Sequence, residues 1–162
     1  MIRFNRRMQI LMEPLTCNVS AQYPSTRRMI EAGFVAVEGC YFLRTLFRQR
    51  YLEERQSSPA ARDDTGLETF VNKMHVEDFK ERPVESVAFA IQYQMLSNWA
   101  ASEPELVMRS AYSINDGAHA LRFYVERGGE IPYLIDDLEL YAEEAVIEVS
   151  STSVDELKRL LS

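Results

Sequence analysis

The sequence predicts a mainly helical fold, a single-domain helical bundle with one strand at its N-terminal periphery. Three observations carry this. Val84, Val87, Ala88, Ile91, Met95, Leu96 and Trp99 recur at helical spacing after Pro83. Ser102-Glu103-Pro104-Glu105 has the form of a capping box, and Val107, Ala111, Ile114, Ala118, Leu121 and Val125 follow it at intervals of 4, 3, 4, 3 and 4. Ser153-Val154-Asp155-Glu156 is a second such box ahead of Leu157, Leu160 and Leu161. The competing reading is an α+β fold with an antiparallel meander in residues 106–150. Asn115-Asp116-Gly117 is a good hairpin turn, and Arg122-Phe123-Tyr124-Val125 suits a strand.

In chain order, Ile2, Phe4, Met8, Ile10 and Met12 share one parity, the pattern of a half-buried strand ending before Pro14. Ser25 is placed to cap a short helix that stops at Gly33. Val37, Cys40, Tyr41, Phe47 and Tyr51 suggest the next helix, with Arg44, Arg48, Arg50 and Arg55 mostly on its solvated faces. The polar stretch from Gln56 to Gly66, containing Pro59, reads as a long exposed loop inside one domain of residues 1–162. The Val84–Ala101 helix, widened by Phe89 and Tyr93, is expected at the centre of the core. Leu134, Leu138, Tyr141, Ala145 and Val149 give another helical stripe, although Val146-Ile147-Glu148-Val149 reads equally well as a strand.

Charge is divided along the chain. Residues 1–62 carry ten Lys/Arg and five Asp/Glu; residues 63–162 carry eight and twenty, so +5 stands against −12 in a total of −7. Eight carboxylates and one Arg127 lie between Glu126 and Glu148. Such a field repels nucleic acid and attracts a basic protein surface. The basic first third has aromatic neighbours but no recognisable nucleic-acid module. No apolar run approaches membrane length; the longest, Met29 to Phe47, is broken by Glu31, Glu38 and Arg44. Met1-Ile2-Arg3-Phe4-Asn5-Arg6-Arg7 has no apolar stretch after it, so no signal peptide is expected. Two cysteines that fit no metal spacing point to reduced thiols in a cytoplasmic protein.

Catalytic patterns are missing from the sequence. There is no Gly-rich phosphate loop and no nucleophile elbow, and Gly128-Gly129 sits in an acidic setting that suits a helix stop. His75 has Glu68, Glu77, Asp78 and Glu81 in its neighbourhood, but Asn72 stands where the Glu-x-x-His motif of di-iron bundles needs a glutamate. Neither His75 nor His119 is therefore assigned a metal, and no cofactor is expected. Cys40 lies on an apolar stripe, and nothing beside Cys17 activates it, so neither is expected to be catalytic or disulfide-linked. Adjacent carboxylates such as Asp136-Asp137 and Glu143-Glu144 point apart on a helix, which disfavours acid–base work.

The function these features favour is a protein–protein interaction domain. An acidic neutralising partner, of the immunity-protein or antitoxin type, would block a basic, nucleic-acid-handling toxin or enzyme. Its expected contact residues are Glu130, Asp136, Asp137, Glu139, Glu143, Glu144 and Glu148. The alternative is a small enzyme or a ligand- or metal-binding domain using His75 or His119 with nearby carboxylates.

Overall fold

The computed structural model describes residues 1–57 and 63–162, with side chains described for 1–51 and 63–162. It is α+β and not a helical bundle. A five-stranded antiparallel sheet is built from β1 (Ile2–Phe4), β4 (Met74–His75), β5 (Met108–Asn115), β6 (Ala118–Val125) and β7 (Ala145–Ser150). Its order is β1-β7-β5-β6-β4. A separate hairpin joins β2 (Phe34–Val37) to β3 (Cys40–Leu43). The helices are α1 (Arg6–Met12), α2 (Pro24–Ala32), α3 (Arg44–Ser57), α4 (Asp64–Val71), α5 (Val84–Ser102) and α6 (Val154–Leu160).

The long helix α5 lies where expected. It is apolar on most sides and packs on one face of the sheet, with Val87, Phe89, Ile91, Met95, Leu96 and Trp99 buried. Met108, Tyr112, Leu121, Phe123, Ile147 and Val149 meet it from the strands. A strand is also present at the N-terminus, paired at the sheet edge with Ile2 opposite Val149. It ends at Phe4, because Asn5 caps a helix there: the Asn5 side chain accepts from the Met8 N–H.

Residues 106–125 overturn the helical expectation. Asp116 and Gly117 hold φ of 47° and 78°, and Asn115 pairs with Ala118 across them. A two-residue loop with both φ positive matches the right-handed twist of its flanking strands. Ser102 closes α5 instead of opening a helix, with Glu103 as C-cap and Pro104 just beyond. The interval pattern misleads because these strands are buried on both faces. Tyr112 and Leu121 face α5, whereas Ala111 and Tyr124 belong to a second cluster with Leu134, Leu138 and Val146. Mixing residues from both faces blurs a period of two.

The same lesson applies at residues 34–43. Glu38 and Gly39, at φ 51° and 85°, turn a hairpin, and the expected helix starts only at Arg44. The 134–149 stripe is likewise no helix: a short 3-10 turn at Leu138–Leu140 precedes β7. Of the expected loop, Gln56 and Ser57 end α3, Asp63 caps α4 by accepting from the Gly66 N–H, and residues 58–62 lie outside the described residues. Ser153 precedes α6 as its N-cap, yet its hydroxyl accepts from the Met1 amine instead of capping.

Candidate functional site

The face of the sheet opposite α5 is polar along two rows. Register places Arg3, Glu148, Ala111 and Arg122 side by side on β1, β7, β5 and β6. Arg109 and Tyr124 form the neighbouring pair. Over this face runs a strap, residues 126–144, which drops Leu134 and Leu138 onto Ala111, Tyr124 and Val146. Asn5 ties the strap down. Its Nδ2 donates to the Glu144 carbonyl at 2.7 Å and to those of Leu138 and Tyr141 at 3.4 Å. Its Oδ1 also accepts from the Val146 N–H.

Under the strap, Glu148 is 2% exposed. Its Oε2 accepts from Arg3 Nη2 at 2.7 Å and Arg109 Nη1 at 2.9 Å, and Tyr124 donates to its Oε1. Arg109 reaches on to Glu126 at 2.8 Å. Burial raises the Tyr124 hydroxyl pKa, and the adjacent Glu148 carboxylate adds to the rise, so the phenol stays protonated as a donor. Beside this network, Glu68 on α4 is fully buried. Arg127 holds both its oxygens, at 2.6 and 3.0 Å, while the Tyr41 and Val125 N–H groups donate to it at 2.7 Å. One turn on, Asn72 accepts from the Leu43 N–H and donates to the Tyr41 and Phe123 carbonyls. Glu68 and Asn72 thus stitch the small hairpin to β6. A cavity of ≈ 220 Å³ lies beneath the strap, where Arg3, Arg109, Tyr124 and Glu148 of the first network and Arg127 of the second line it together with Glu130. Every charged group on these networks has its counter-charge, which describes a structural scaffold more than a reacting centre.

This geometry sorts the sequence-predicted contact residues. Glu148 is corrected: a carboxylate buried among Arg3, Arg109 and Tyr124 is out of reach of a docked partner. Glu130 is half-buried and accepts from the Thr65 N–H and hydroxyl. Glu139 is exposed, and its carboxylate accepts from the Arg6 N–H. Asp137 accepts from the Glu139 N–H, and Asp136 stands 3.9 Å from Arg3. Glu143 is exposed and Glu144 half-buried. Asp136, Asp137, Glu139 and Glu143 are therefore exposed on the strap, as are Ile131, Ile135 and Leu140 at 79%, 46% and 71%, with Ile131 and Asp136 also bordering the ≈ 220 Å³ cavity. Nothing in the sequence marked these three apolar residues as surface: the helical stripe it offers, Leu134 to Val149, starts after Ile131 and passes over Ile135 and Leu140.

The histidines are not brought together with a metal-ligating set. His75 lies on β4 with its Nδ1 3.3 Å from Glu77. His119 is buried with Nδ1 2.7 Å from the Tyr112 hydroxyl. Among the described residues no group of three or more His, Cys, Asp or Glu converges. Cys17 and Cys40 are both buried free thiols. Burial pushes Cys40 up to about 12, with Asp64 and Glu68 adding to the rise, so it is held as an inert thiol. Among the described residues no helix is long and apolar enough to cross a membrane.

Fold and site together define an α+β protein whose antiparallel sheet is covered by one long helix on one face and by an acidic strap on the other. Residues 3–158 match the Uncharacterized protein PM0498 family, and the chain belongs to that family. No curated protein and no solved structure matches it.

Proposed function

We propose that this protein is an interaction domain whose strap docks on a basic protein surface. In its sharper form it is a neutralising partner, of the immunity-protein or antitoxin type, that covers the basic cleft of a nucleic-acid-handling toxin or enzyme. The observation that carries the reading is the composition of the strap's exposed surface. Ile131, Ile135 and Leu140 are exposed among Asp136, Asp137, Glu139 and Glu143. Exposed apolar side chains set among charge are what a docking surface needs, contact area at its centre and steering at its rim. The net charge of −7 gives the field its sign. Two buried free thiols and no extracellular staple suit a reducing compartment, and the reading places the protein in the cytoplasm.

The test is capture of partners from the native organism at low and high salt, followed by binding measurements on the purified pair. Asp136→Asn/Asp137→Asn and Glu143→Gln/Glu144→Gln should slow association and flatten its salt dependence while leaving thermal stability in place. Variants that fold and bind like the parent would reduce the acid to a solvated surface, and the arginine-rich face of α3 would become the place to look.

A further inference from the structure

A second cavity, of ≈ 320 Å³, opens beneath the same strap at the other end of the sheet. Its floor is cleared of bulk: register sets Ser113 against Ala120 and Asn115 against Ala118, with Ala111 beside them. Tyr133 and Tyr141 from the strap form its walls. Two cations line it, Lys73 and Arg122. Among the described residues, neither side chain donates a hydrogen bond and neither has an ion pair; the Arg122 guanidinium lies over the Tyr133 ring at 5.6 Å. They are also crowded by like charge. Burial, then Arg122 and Arg50, pulls the Lys73 pKa down. The carboxylate on the lining is Glu144, and it makes no ion pair; nearby Glu77 is engaged with His75 and the His119 N–H. At the neighbouring cavity Arg3, Arg109 and Arg127 are each matched by a carboxylate in direct contact, whereas among the described residues Lys73 and Arg122 here have only the more distant field of Glu77 on Lys73 to offset their repulsion.

We propose that this cavity binds a small ligand carrying a carboxylate or phosphate on a planar apolar body. The anion would sit between Lys73 and Arg122, replacing their mutual repulsion with charge-assisted hydrogen bonds. The planar body would lie on the alanine floor against Tyr141 and Tyr133, sharing the Tyr133 ring with the Arg122 guanidinium already seated over it. The site does not rest on the docking reading above: it lies on the inner side of the strap and shares only Glu144 with the residues tested there.

The experiment uses three probes on the full chain: phenyl phosphate, benzoate and inorganic phosphate, each titrated by NMR and calorimetry. Phenyl phosphate or benzoate should bind saturably and shift the resonances of His75, Tyr133 and Tyr141. Whichever binds identifies the anion, and inorganic phosphate should bind about tenfold more weakly than phenyl phosphate because it lacks the ring. Lys73→Gln and Arg122→Gln should each weaken binding about tenfold, the loss expected for one charge-assisted hydrogen bond. Ala118→Leu should block the floor without touching a charge. Ala118 is exposed and Lys73 half-buried, so both variants keep the fold and each is decisive alone. No saturable binding of either ring probe would overturn the proposal, as would inorganic phosphate binding as tightly as the ring probe that binds, or unchanged affinity in either Lys73→Gln or Ala118→Leu.

Discussion

Arg3 and Glu148 stand opposite each other across the β1–β7 pair, and Arg3 Nη2 lies 2.7 Å from Glu148 Oε2. Arg109 closes on the same oxygen from β5. The ion pair therefore fixes an edge strand to the centre of the sheet, beneath the strap, with the Glu148 side chain only 2% exposed. Such a carboxylate costs desolvation and is repaid only while its partners remain. Glu148→Gln leaves Arg3 and Arg109 short of a counter-charge and should cost about 3–5 kcal/mol. Urea denaturation should show the loss as a lower midpoint at unchanged slope. A cost below about 1 kcal/mol, the value of an exposed pair, would mean that water reaches the network.

The buried polar face was hard to read from sequence for a specific reason. Glu148 sits at the end of a run of carboxylates, and charge density cannot separate a paired, buried glutamate from its solvated neighbours. Helix α5 was legible because it is apolar over five turns and no shorter element competes with it. The capping pattern at Ser153 also marked a true helix start, although its hydroxyl is used elsewhere. The β5–β6 hairpin was legible only through its Asn115-Asp116-Gly117 turn and the strand-forming Arg122-Phe123-Tyr124-Val125, since burial on both faces hid the strand period. Glu68 and Asn72 gave no signal at all; their partners come from β3, β6 and Arg127, and no spacing records such contacts.

That hairpin turn should be sensitive to side chains. Gly117 has φ of 78°, a left-handed conformation, with open space around it. Gly117→Val meets no clash, so its cost should be purely conformational, about 1–2 kcal/mol. Gly117→Asn should cost much less, since asparagine tolerates this region. Thermal melts of the two variants check the difference, and equal losses would argue against a backbone origin.

Asn5 serves the strap as well as α1. Asn5→Ala removes the N-cap, worth about 1 kcal/mol, and leaves the Val146 N–H and the strap carbonyls short of a partner. A total loss of about 3 kcal/mol is expected, since each orphaned buried group adds about 1–3 kcal/mol. Hydrogen exchange should quicken in residues 133–146 more than in α5. Uniform quickening would mean that Asn5 supports the whole fold and not the strap in particular.

The Glu77 carboxyl is held below its ordinary value of 4.5: burial pushes it up, but hydrogen bonds from the backbone and from His75 outweigh that. A depressed acid stabilises the fold above its unfolded pKa, and the contribution fades as pH falls through the folded one. Between about pH 5 and pH 3 the parent should thus lose stability faster than Glu77→Gln. Melting temperatures across that range check the sign, and parallel curves would show that Glu77 gains nothing from His75 and the His119 N–H.

On the strap's exposed surface, charge and apolar contact should separate kinetically once a partner is in hand. Long-range attraction acts before contact, so Asp136→Asn/Asp137→Asn should lower the association rate and its dependence on salt, with dissociation little changed. The cap on the Glu139 N–H survives in this variant, because asparagine keeps the accepting oxygen. Ile131→Ser and Leu140→Ser act after contact. Each removes apolar area that is exposed in the free protein, so folding should hold while dissociation quickens by about tenfold or more. Stopped-flow or surface-based kinetics at several salt concentrations distinguish the two effects. Unchanged dissociation in both serine variants would move the contact away from the strap, and the reading of its exposed isoleucines and leucine as a docking centre would fall with it.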